Sequence, residues 1–151
     1  MSPLGVPTRV TIHHTGFPAG FTSCEPSAIK INLQSILMLH TAPPPEGRGW
    51  ADIGYHFAVD PAGRIWALRS LAYQGAHVRN HNENNIGVVA LGNFDLHDLP
   101  DLQFTALRQL LAELRLAFPI TDVFGHKHLA DNATNCPGAA IVARWPQLSS
   151  R

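Results

Sequence analysis

Three residues near the two ends of this chain can close on one metal ion, and if they do the ends must meet in the fold. They are His13, in the run Val10-Thr-Ile-His-His-Thr-Gly16, and His126 and Cys136, in Gly125-His-Lys-His-Leu-Ala-Asp-Asn-Ala-Thr-Asn-Cys-Pro-Gly138. Two imidazoles and a thiolate leave one tetrahedral position open, which suits a catalytic zinc; a structural site normally takes a fourth side chain. Val10, Thr11 and Ile12 are β-branched and read as a buried strand running into His13, while Val123-Phe124-Gly125 is a second short apolar run ending at His126. Cys136 precedes Pro137 and Gly138, a turn signature that fixes a loop and brings a thiolate inward. Nine histidines in 151 residues produce some His/Cys proximity by chance. On these residues alone, a packed core histidine with an inert buried cysteine stays open beside the metal reading.

One domain spanning residues 1–151 is expected, since the chain is long enough for a real core and too short for two ordinary ones. Lys plus Arg and Asp plus Glu balance at 11 each, so no basic face advertises nucleic-acid binding. No apolar stretch approaches the roughly 18 residues of a membrane span, and a soluble monomer is the expectation. Two cysteines make no disulfide framework, although a Cys24–Cys136 bridge competes with the metal site and would destroy it.

Along the chain, Ile29, Leu33, Ile36, Leu37 and His40 recur at helical spacing, and the proline run after Thr41 cannot continue that helix. Tyr55–Val59 and Arg64–Leu68 flank Asp60-Pro-Ala-Gly63 and read as a β-hairpin. Ile86–Leu91 reads as a fully buried central strand. Phe104, Leu107, Leu110, Leu111, Leu114 and Phe118 mark the clearest helix, capped by Asp101 and ended near Pro119. A last short helix takes in Ile141, Val142 and Trp145. The pattern predicts an α/β fold, a central mixed sheet flanked by helices.

Gly54-Tyr-His-Phe-Ala-Val-Asp-Pro-Ala-Gly-Arg-Ile-Trp66, Gly75-Ala-His77 and Asn82-Glu-Asn-Asn-Ile-Gly-Val-Val-Ala-Leu-Gly-Asn-Phe94, taken with the two histidine blocks, resemble the zinc-dependent N-acetylmuramoyl-L-alanine amidases, the family of phage lysozyme-type amidases and peptidoglycan recognition proteins. The resemblance is ordered and runs from about Arg9 to about Trp145. It implies zinc as cofactor, peptidoglycan or a muropeptide as partner, and cleavage of the amide between N-acetylmuramic acid and L-alanine. By the same resemblance His13, His126 and Cys136 are the zinc ligands and Tyr55 is the catalytic tyrosine. Thr134 stands where phage-type members carry lysine and many recognition proteins carry threonine; a hydroxyl there donates without a full charge. Val89 stands where recycling amidases carry a glutamate on the central strand. The ten-residue step from His126 to Cys136, however, is longer than the eight usual in the phage and recognition branch.

Members that bind without cutting typically lack the cysteine, so Cys136 favours hydrolysis over a non-catalytic peptidoglycan-binding module. His77, Asn85 and Trp50 are candidate substrate contacts; for His77 a solvated loop position is the competing reading, and for Trp50 burial is. His14 should face away from His13 on a continuing strand and serve packing or support. His128 is an alternative ligand to His126, sharing its face if that segment stays extended, although Gly125-His-Lys favours His126; Lys127 then points elsewhere. Met1–Pro7 shows no secretory signal pattern, so a cytoplasmic location until release or export to the wall is expected.

Overall fold

The computed structural model describes residues 1–131 and 133–150. Its sheet has five strands: β1 (Arg9–His14), β2 (Phe57–Val59), β3 (Ile65–Ala67), β4 (Asn85–Ala90) and β5 (Asp122–Gly125), in the spatial order β3-β2-β4-β1-β5. Only β2 and β3 run antiparallel; the other neighbours are parallel, so the sheet is mixed as expected. Helix α1 (Pro26–Thr41) packs on one face, with Ile29, Leu33 and Ile36 against Ala58, Val89 and Leu91. The other face carries α2 (Asp101–Ala117), whose Phe104, Leu107, Leu110, Leu111 and Leu114 meet Val10, Ile12, Ile86 and Val88. Two short helices, α3 (Ala139–Ala143) and α4 (Trp145–Ser149), complete that layer through Ile141 and Leu148.

Every residue of β4 is buried, because it lies mid-sheet with a helix over each face, and such strands read as unbroken apolar runs. Truncating a residue such as Leu107, which has no exposed surface, would cost about 2–5 kcal/mol. No described helix is long and apolar enough to cross a membrane.

Several local expectations are corrected. The hairpin is shorter than its apolar pattern, and Tyr55 sits in the loop before β2, not on the strand. Leu37 is 38% exposed, so the buried stripe of α1 runs through Ile36 to His40 instead. Pro100, not Asp101, occupies the N-cap of α2; Asp101 is the first helical residue and accepts a hydrogen bond from Arg144 at 3.0 Å. The expected last helix is two, broken at Arg144. His126–His128 form a 3-10 turn, so the chain does not remain extended past Gly125.

Beyond α1, the proline-containing loop folds back onto the helix end. Leu39, His40 and Ala42 carbonyls accept from the N–H groups of Arg48, Trp50 and Gly49 at 3.0, 2.8 and 2.8 Å. That return places Trp50 beside the loop carrying Tyr55.

Candidate metal centre

Strands β1 and β5 are parallel neighbours with Ile12 opposite Gly125, so His13 and His126, one residue further along each, arrive side by side. Their ring centroids are 4.6 Å apart. Cys136 comes from the following loop. Its carbonyl accepts the Lys127 N–H at 2.8 Å, and Gly138, at φ +96°, takes a backbone conformation that side chains disfavour. A Cβ there would also lie 2.8 Å from His14 Nδ1. The Cys-Pro-Gly sequence is therefore what lets the loop press against β1.

A nitrogen from each of His13 and His126 and the Cys136 sulfur lie within 4.8 Å of one another. Zinc bonds of about 2.05 Å to nitrogen and about 2.3 Å to sulfur, set at the tetrahedral angle, separate two such ligand atoms by about 3.6 Å. The distance from His13 Nδ1 to Cys136 Sγ is 3.6 Å. The three donors thus suit a zinc ion in chemistry, and the His13–Cys136 pair has the separation that two zinc ligands take.

Protonation agrees. Burial, and then the neighbouring His77, His126 and His14, hold His13 well below the ordinary histidine range, and burial followed by His14 lowers His126. Both rings are neutral and able to ligate. Burial pushes the Cys136 thiol up to about 12, opposed by the His14 N–H donating to Sγ at 3.4 Å. Without an ion the sulfur keeps its proton, and metal binding has to expel it.

The remaining histidines separate as their strand positions dictate. His14 faces the opposite side of the sheet, stacks on Phe94 and accepts the Phe94 N–H at 3.2 Å, a supporting role as expected. His128 turns away with the 3-10 segment; its Nδ1 accepts the Gly125 N–H at 3.0 Å and its ring meets Trp145 edge-on. The two cysteines are free, Cys24 exposed and Cys136 buried, so the competing disulfide is not formed.

A groove of about 570 Å³ opens beside His126, walled by His40, Arg48, Trp50, Tyr55, His77, Asn82 and Asp131 among others. Trp50 is half-buried and lines it, with the Arg48 guanidinium 5.2 Å over its ring. The Tyr55 ring centroid is 5.2 Å from that of His13. Burial first, then the nearby Cys136 sulfur, raises the phenol above its ordinary range, so it stays protonated and can donate. Thr134 Oγ1 accepts the Cys136 N–H at 3.2 Å, which sets the hydroxyl beside the ligand loop.

Asn85 is placed differently from the expectation. Its side chain is fully buried, accepting from Thr11 Oγ1 at 3.0 Å and donating to the His81 carbonyl at 2.7 Å, so it ties β4 to β1 and a loop and cannot reach a substrate. His77 is not a solvated loop residue, although it does line the groove. It is 8% exposed, and its nitrogens face His13 Nε2 at 3.1 Å and the Asn85 carbonyl at 3.2 Å.

Three further residues support the site although the sequence assigns them no role in it. The Arg69 guanidinium donates to the carbonyls of Ile53, Gln74 and Asp52 at 2.6, 2.5 and 2.8 Å, and its own N–H donates to the Tyr55 carbonyl at 3.1 Å. His40 Nδ1 accepts the Gly54 N–H at 3.0 Å. His56 bridges the Gly87 N–H and the Tyr73 carbonyl at 2.9 and 3.0 Å. Together they pin the loop that presents Tyr55. The apolar neighbours of His40 on α1 gave it the look of a core position, and nothing local distinguishes Arg69.

Comparison with known proteins agrees with this architecture. Residues 3–139 match the family model described as N-acetylmuramoyl-L-alanine amidase. Peptidoglycan-recognition protein SC2 of Drosophila melanogaster is 34% identical over 140 residues, covering 91% of this chain and 70% of that protein. The N-acetylmuramoyl-L-alanine amidase of Sus scrofa is 32% identical over 155 residues, covering 97% of this chain and 24% of the pig protein. Among solved structures, wild-type Drosophila PGRP-LB superimposes with a TM-score of 0.80 at 28% identity, covering 99% of this chain and 90% of that one.

Proposed function

Because the chain belongs to the N-acetylmuramoyl-L-alanine amidase family, we propose that it is a zinc-dependent hydrolase of the amide joining N-acetylmuramic acid to L-alanine in peptidoglycan. The observation that carries this reading is the His13, His126 and Cys136 cluster, spaced for zinc and opening beside a groove that also holds a protonated phenol. A binding module needs the groove but has no use for three converging ligands and a half-buried phenol donor beside them.

A zinc ion held there would supply Lewis acidity, polarising a carbonyl oxygen and making water a competent nucleophile at neutral pH. The protein's own groups do the rest. Tyr55 donates to the oxygen on which charge develops, and it is rigid because Arg69 and His40 hold its loop on both sides. Thr134 Oγ1 serves as a second, weaker donor, since it brings a hydroxyl and no full charge. Trp50, with Arg48 over its face, offers a flat apolar wall and a cation to a peptide stem that carries carboxylates.

Digestion of purified peptidoglycan by zinc-loaded protein, with products read by mass spectrometry, tests this reading. Intact stem peptides with a free L-alanine amino group, absent after chelation, are expected. Wall binding without such release would leave a recognition module in place of an enzyme.

A further inference from the structure

His13 and His77 are joined ring to ring, and the chain of hydrogen bonds runs in one direction. His77 Nε2 stands 3.2 Å from the main-chain carbonyl oxygen of Asn85, which can only accept, so that nitrogen carries a proton. In a neutral ring His77 Nδ1 is then bare. It accepts from His13 Nε2 at 3.1 Å, which leaves Nδ1 as the one unprotonated nitrogen of His13. That is the atom 3.6 Å from Cys136 Sγ.

The ring of His77 has no freedom to do otherwise. It is wedged between two glycines: a Cβ added to Gly75 would lie 2.4 Å from His77 Cδ2, and one added to Gly87 would lie 2.5 Å from the same atom. Gly87 belongs to β4 and pairs with Thr11 two residues before His13, so the slot and the ligand are parts of one sheet. The His77 ring meets that of His13 at 86°, with centroids 5.1 Å apart.

We infer that His77 is a positioning residue for the metal centre: it selects the Nε2–H tautomer of His13 and fixes its ring plane, so that Nδ1 is aimed before any ion arrives. This rests on the metal-centre reading above. Metal-ligating histidines generally donate their second N–H to a carbonyl, carboxylate or water. Here the acceptor is another imidazole, itself oriented by a strand carbonyl and a glycine slot, at the wall of the groove.

The test is zinc affinity of the metal-free protein, measured by competition with a chromophoric chelator, for wild type, His77→Leu and His77→Asn. Leucine removes the acceptor, and asparagine restores an oxygen where Nδ1 stood. Zinc binding should weaken by roughly 10–100-fold in His77→Leu and recover most of that loss in His77→Asn. Equal affinity in wild type and His77→Leu overturns the inference while the metal centre stands, whereas a wild type that takes up no zinc overturns the metal centre itself. Should His77→Leu not fold, nitrogen NMR of the metal-free wild type decides alone: His13 with a protonated Nε2 and bare Nδ1 is expected, and the opposite tautomer overturns the inference.

Discussion

His13 Nδ1 and Cys136 Sγ, 123 residues apart in the chain, face each other at 3.6 Å. The contact spans the fold: β1 carries the imidazole, and the loop after β5 carries the thiol. Cys136→Ser should therefore keep the fold and lose zinc, because a hydroxyl is a far poorer zinc ligand than a thiolate. Circular dichroism and metal content of the purified variant check this together.

Tyr55→Phe removes the donor and little else, since the ring remains packed between His13 and His40. The turnover number should fall about 10²–10³-fold, the effect of deleting one oxyanion donor, with KM and zinc content near wild type. A proportional fall in zinc content would mean that Tyr55 acts on the metal centre instead.

A smaller effect is expected at Thr134. Thr134→Ala deletes one neutral hydrogen bond, worth about 1 kcal/mol, and should reduce turnover by about tenfold or less. Steady-state kinetics beside Tyr55→Phe gives the ranking.

Arg69 supports the Tyr55 loop with a three-way fork to carbonyl oxygens. A lysine ammonium is a point charge and cannot reproduce that fork. Arg69→Lys should lower the melting temperature and reduce turnover while zinc affinity holds, as thermal melts and chelator competition can show.

Stability of the metal-free protein should decline on acidification. Burial, then the Arg48 and Arg69 charges, lower His40 to about 4 from its ordinary 6.5. The folded state therefore binds fewer protons than the unfolded one between those values. The contribution is complete above pH 6.5 and is lost as pH falls toward 4, amounting to at most about 3 kcal/mol. His40→Gln should flatten the pH dependence of denaturant midpoints across that window.

The elements that were legible in the sequence are those whose period is local. Val10–Ile12 and Ile86–Ala90 announce strands, and the Phe104–Leu114 stripe announces a helix. The cluster proposed to hold zinc could be picked out because chemistry restricts such ligands to histidine and cysteine and because turn residues follow Cys136. What the sequence hid is long-range pairing. Asn85 has the composition of a turn residue, yet its side chain finds Thr11 across a strand pair joining residues 74 positions apart. His77 has the look of a loop residue in Gly-Ala-His, and its contact with His13 depends on Gly87 and the Asn85 carbonyl arriving from β4. Arg69 follows a three-residue strand, and its role depends on three carbonyls that no local pattern reveals.

The most direct test of the proposed amidase is the rate of stem-peptide release from a defined muramoyl peptide, compared between zinc-reconstituted wild type, the chelated protein and Cys136→Ala. Release by the zinc form alone, with cleavage mapped to the bond before L-alanine, is predicted. Equal release in all three, or none in any while the substrate still binds, would contradict a catalytic centre at His13, His126 and Cys136.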